Sequence, residues 1–234
     1  MGFTESLSHF LANSDSVGVA LFSILMSMSI ASWFFMTVKA WQARQQRRHG
    51  AYFLHQFWHA TSLTEIATHL EHTQANEAYS NLAAQAINAV RHHALHGKNN
   101  LLDDSGSSTE FLTRCMRRAL DEETARLEWG LTSLASIAST APFVGLFGTV
   151  WGVYHALQNI GQGGLATLDQ IAGPVGEALI MTGLGLAVAI PSVLAYNDCA
   201  RSNRLLLAKL DGFAHDLLTF LTTGHAITGR AGAL

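Results

Sequence analysis

From Gln170 to Asn197 the only charged side chain is Glu177. The run is long enough to cross a bilayer, and a carboxylate at the centre of one costs roughly 2.5–3.5 kcal/mol even on lenient insertion scales. That cost falls when the group faces a bundle interior or a water-filled lumen, or carries a proton. An intramembrane carboxylate is therefore a functional-site candidate, its chemistry proton binding or relay, with desolvation favouring its neutral form. The competing account is a structural glutamate bonded to a neighbouring helix. Histidines raise a second possibility. His55 and His59 stand four apart, and His92, His93 and His96 cluster. Either set could meet a metal on a helix face, but no cysteine or carboxylate completes it at ligand spacing. A solvated helix face is the better account, and no metal is expected. Gly145, Gly148 and Gly152 lack the Gly-Lys-Ser/Thr of a phosphate loop and sit in an apolar run, so helix packing explains them better.

The elements that must hold Glu177 follow from charge placement. Of 234 residues, 49% are hydrophobic and 13% charged, against about 25% in ordinary soluble domains. The deficit is confined to Val17–Val38, Gly130–Ile160 and the Glu177 run. Each exceeds the roughly 20 apolar residues that a membrane helix needs. Val17–Val38 has no basic region before it and Lys39, Arg44, Arg47 and Arg48 after it, the pattern of an uncleaved span rather than a signal peptide. All 14 lysines and arginines fall after Val38, and none lies in 129–200. Basic flanks stay in the cytoplasm. The expected order is then a periplasmic tail (1–16), a first span (17–38), a cytoplasmic helical domain (39–128), a second span (129–158), a periplasmic loop (159–169), a third span (170–197) and a cytoplasmic helix and tail (198–234). The net charge of −3 gives no reason to expect a nucleic-acid partner. Cys115 and Cys199 both fall on the cytoplasmic side, where no disulfide is expected.

Within the insert, Tyr52–Ala60, Leu63–His72 and Ala75–Leu95 carry apolar residues at helical spacing, and His96–Ser108 reads as a loop. Thr109–Glu128 is expected to run unbroken into the second span as one helix of roughly 50 residues, about 75 Å long. Arg201–Thr223 should extend the third. Pro174 is expected in the first turn of the third span, while Pro142 and Pro191 lie inside spans. Such helices have little to bury against unless copies pack side by side. Ala141, Gly145 and Thr149 form one track of small residues and Gly148 and Gly152 another, a spacing that lets membrane helices approach closely. A tightly packed oligomer is expected. Trp33, Trp41 and Trp129 suit the membrane interface, and Arg44, Arg47 and Arg48 could contact anionic lipid headgroups at about 1 kcal/mol per charge.

Thr140-Ala-Pro-Phe-Val-Gly-Leu-Phe-Gly-Thr-Val-Trp-Gly152 closely resembles the second-span signature of the ExbB proteins, relatives of TolQ and MotA. Gly176-Glu-Ala-Leu-Ile-Met-Thr182, continuing through Pro191 to Asn197, resembles their third span. The motifs cover about 60 residues, and span count and length extend the likeness to nearly the whole chain. The resemblance implies an all-α integral membrane protein with three transmembrane helices that reach into the cytoplasm. It implies a homopentamer in the bacterial inner membrane, around the single spans of two copies of an ExbD-like protein. The complex would use the proton motive force to drive a TonB-like protein for import of iron-siderophore, haem or cobalamin. It also maps the lumen's polar groups to Thr149, Glu177 and Thr182. Alone, each threonine reads more simply as bonded to its own helix. Glu177 and Thr182 are about 140° apart on a helix, so a narrow pore could not take both. One departure is that proline stands three residues before the glutamate rather than four, which implies a local rotation at the helix start.

The implied partners are that ExbD-like protein, the TonB-like protein, membrane lipids and further copies of the chain. Protons are the coupling ion, and no cofactor is expected beyond bound phospholipid. Two alternatives remain: a TolQ-like subunit serving envelope integrity, and a membrane scaffold that conducts nothing. No nucleophile paired with a base appears, so an enzyme is not expected.

Overall fold

The structure is a computed structural model that describes residues 16–59, 78–96, 105–163 and 168–223. These form five helices, α1 (Ser16–His59), α2 (Ala78–His96), α3 (Ser105–Glu128), α4 (Leu131–Gly163) and α5 (Leu168–Thr223). Ser16–Gln46, Thr109–Gln158 and Gly173–Thr223 contain windows of mean hydropathy 1.9, 1.4 and 2.1, long and apolar enough to cross a membrane. The protein is all-helical with three membrane-spanning segments. The segment Leu63–His72, expected to be helical, and the side chains of Arg47 and Arg48, expected to contact lipid headgroups, lie outside the described residues.

Two compact units divide the chain, one of residues 1–39 and 130–199, the other of 40–129 and 200–234. In the second unit the later part of α1, α2, α3 and the last part of α5 build a core of their own. Phe213 is its centre, with T-shaped contacts to Phe53, Phe57 and Tyr79 at 6.3, 5.2 and 5.6 Å between ring centroids. Edge-to-face pairs of this kind add about 0.5–1.5 kcal/mol each beyond the area they bury. Leu82, Leu210 and Leu217 are fully buried around them. Burial pushes the Tyr79 phenol up. Asn81 donates to the buried Glu123 carboxylate at 2.7 Å, and Asn203 of α5 donates to the Leu127 carbonyl at the end of α3, also at 2.7 Å. The expectation that these helices need other copies to bury against is therefore corrected. Four helical segments of one chain cover each other, because α1 and α5 continue well beyond their apolar runs.

The expected unbroken helix from Thr109 into the second span is also corrected. α3 stops at Glu128 and α4 starts at Leu131, with Gly130 between them at φ 77. That left-handed conformation ends a helix and is open to glycine at little cost. The Leu134 N–H then donates to the Gly130 carbonyl at 3.1 Å and begins α4. α5, by contrast, runs for 56 residues, about 84 Å, through Pro174 and Pro191. Because it begins at Leu168, Pro174 lies inside the helix and not in its first turn, so the proline offset falls on no helix start. Ser105–Ser108, expected in a loop, open α3, and α4 stays helical through Gly163.

In the first unit, α1, α4 and α5 meet around Leu25, Ala141, Met181 and Ala189. Ser32 and Ser192, 2% and 0% exposed, join hydroxyls at 2.6 Å. Ser192 gives its own proton to the Val188 carbonyl at 2.6 Å, so Ser32 is the donor between them. Large apolar side chains remain uncovered on all three helices, among them Ile30, Trp33, Phe143, Val150, Leu179 and Leu194.

Candidate functional site

α4 and α5 approach until their backbones touch, and glycine permits it. A Cβ on Gly145 would stand 2.6 Å from the Met181 carbonyl oxygen, and one on Gly185 would stand 2.7 Å from that of Ala141. Gly148 faces the Met181 side chain and Gly152 faces Ala178. As numbers rise along α4 the partners on α5 fall, so the helices run antiparallel. Small residues bring membrane helices to this separation, where dispersion contacts replace the hydrophobic drive that lipid cannot supply. Gly173, Gly176 and Gly183 have open space where a Cβ would stand.

This packing brings Thr149 and Thr182 together. Thr149 is buried and donates to the Leu146 carbonyl at 2.7 Å. Thr182 donates to the Thr149 oxygen at 3.4 Å. The two hydroxyls form a short directed chain across the helix pair. Glu177 is half-buried, beside the buried Ala178. Ala178, Met181 and Gly185 mark the line of α5 that faces α4, and at 100° per residue Thr182 lies on one flank of it and Glu177 on the other. The two residues separated by about 140° are thus sorted to opposite sides of one contact.

Arg44 is exposed on α1 in the second unit. Among the described residues no group of three or more His, Cys, Asp or Glu side chains could hold a metal. Sequence reasoning missed the Ser32–Ser192 contact and did not single out Met181, against which Gly145 and Gly148 pack. Serines in two separate apolar runs were the available signal, but nothing in the sequence pairs residues 160 positions apart.

A protein-family model described as the MotA/TolQ/ExbB proton channel family matches residues 74–211. The chain belongs to the MotA/TolQ/ExbB proton channel family. Its α4–α5 contact lies largely within the matched region. Among relatives in this family, the biopolymer transport protein ExbB of Xanthomonas campestris is 39% identical over 230 residues, 97% of this chain and 91% of its own length. The protein of the same name from Neisseria meningitidis is 38% identical over 204 residues, 87% of this chain and 91% of its own. The Tol-Pal system protein TolQ of Pseudomonas aeruginosa is 28% identical over 216 residues, 92% of each chain.

Proposed function

We propose that this protein is the inner-membrane subunit of a proton-motive-force-driven motor of the ExbB–ExbD type. It energises a TonB-like protein for outer-membrane import of iron-siderophore, haem or cobalamin. The observation that carries the reading is the α4–α5 contact, which joins the Thr149 and Thr182 hydroxyls and sets Glu177 on its opposite flank. In this reading five copies surround the spans of two copies of a small single-span protein. Its titrating group works against Thr149, Thr182 and Glu177, with the N-terminus periplasmic and the C-terminus cytoplasmic. Uncovered apolar side chains on α1, α4 and α5 support association with lipid and with further copies. One charge moved through 100 mV is worth about 2.3 kcal/mol, so mechanical output needs several protons or a ratchet.

A TolQ-like role in envelope integrity is the second reading, supported by the 28% match to a TolQ. ExbB is preferred because relatives of that name match at 38–39%. Glu177→Ala decides whether the carboxylate acts. Energised uptake should vanish while the complex still assembles. Normal siderophore-dependent growth of that strain would refute the motor reading. Detergent sensitivity of a deletion strain with normal iron uptake would move the client to the Tol system.

A further inference from the structure

The flank of the helix pair that carries Glu177 carries more chemistry than one carboxylate. On α4, Val144, Trp151 and His155 are spaced i, i+7 and i+11, within about 20° of one direction. On α5, Glu177, Leu184 and Val188 repeat the same spacing. Val144, Leu184 and Val188 all pack against the same cluster around Leu25 of α1. Both sets therefore look to the side of the pair where α1 lies, away from the Thr149–Thr182 hydroxyls. Depth agrees as well. Gly152 faces Ala178, which places His155 and Glu177 within about 3 Å of each other along the helix axes at 1.5 Å per residue. His155 stacks on Trp151 at 4.7 Å and meets the Tyr154 ring edge-on at 5.5 Å. The Trp151 indole N–H is buried and has no acceptor among the described residues. A buried indole donor left without an acceptor is uncommon and calls for a polar group beside it.

We propose that His155 and Glu177 form one coupled protonatable pair, deepening the motor reading on which this rests. The pair takes up a proton as carboxylate and neutral imidazole become carboxylate and imidazolium, and releases it on return. The protonated pair is neutral overall, which is how a bilayer tolerates two ionisable groups. The Trp151 N–H serves a water or carboxylate oxygen between them. Among the described residues, other titratable groups near the pair are few. α4 adds Tyr154, α5 adds Asp169 about 12 Å further toward its N-terminus, and α1 has none from Ser16 to Val38.

The test is the imidazole titration of His155, followed by NMR in 15N-histidine-labelled full-length complex in lipid discs. Loss of its resonance in His155→Gln assigns it. Coupled groups titrate jointly, so Glu177→Gln should displace the His155 midpoint by on the order of one pH unit. An unmoved midpoint overturns the pair. If Glu177→Gln does not assemble, Glu177→Asp, with a carboxylate one methylene shorter, reads the same coupling. Energised uptake supplies a second readout. His155→Gln should change its pH profile, and the double variant with Glu177→Gln should be no slower than the slower single one. Additive losses with an unchanged profile make His155 a packing residue. The titration does not depend on transport, so intact uptake in Glu177→Ala would sink the motor and leave the pair to stand or fall on the midpoint.

Discussion

Single hydroxyls do different work at different places in this membrane unit. Several of the described threonines and serines bond their own helix, as Thr37, Ser136 and Thr140 do, and such bonds join nothing across helices. Thr182 and Ser32 instead donate across a helix contact. Ser32→Ala leaves the Ser192 oxygen without its cross-helix donor, whereas Ser32→Ala with Ser192→Ala removes both partners. The single change should cost about 0.6–1.7 kcal/mol, the range for such bonds inside a membrane protein, and the double change should cost little more. Unfolding in mixed micelles would check this, and strictly additive losses would show that the two hydroxyls do not act together.

At the scale of the element, glycine placement decides which helix surfaces can meet. Gly185 and Gly183 differ by two residues and lie about 160° apart around α5. A methyl on Gly185 meets the Ala141 carbonyl at 2.7 Å, while one on Gly183 meets nothing within 4 Å. Gly185→Ala should separate α4 from α5, break the Thr149–Thr182 contact and lower the yield of folded protein several-fold. Gly183→Ala should leave the isolated fold intact, so a loss of complex without loss of folded protein would place Gly183 against another chain. Melting curves and extraction yields of the two variants distinguish these. The break between α3 and α4 follows the same logic, because Gly130 alone supplies the positive φ that ends one helix and permits the next.

For the whole molecule, the two units solve different burial problems. The second closes a core within one chain around Phe213. The first leaves broad apolar faces on all three of its helices, which only lipid or other proteins can cover. Gentle extraction and native mass measurement should find five copies of the 25.3 kDa chain with two copies of a small single-span protein. A homo-oligomer with no small partner would instead favour the scaffold reading.

Some of this was legible in the residue order. Two charge-free runs and a third with a single charge specified three membrane helices, because hydrocarbon tolerates neither unpaired backbone nor clustered charge. The second- and third-span motifs carried the family, and Glu177 stood out because no other charge shares its run. The tertiary structure decided what depends on pairing distant segments. It set Thr182 against Thr149 and Glu177 on the opposite flank, it joined Ser32 to Ser192, and it buried the helices of the second unit against each other. Charge and hydropathy report the solvent that a segment prefers. Which side of a helix meets which neighbour depends on where backbones can approach, and in this chain the glycines of α4 and α5 settle that only once the two helices are side by side.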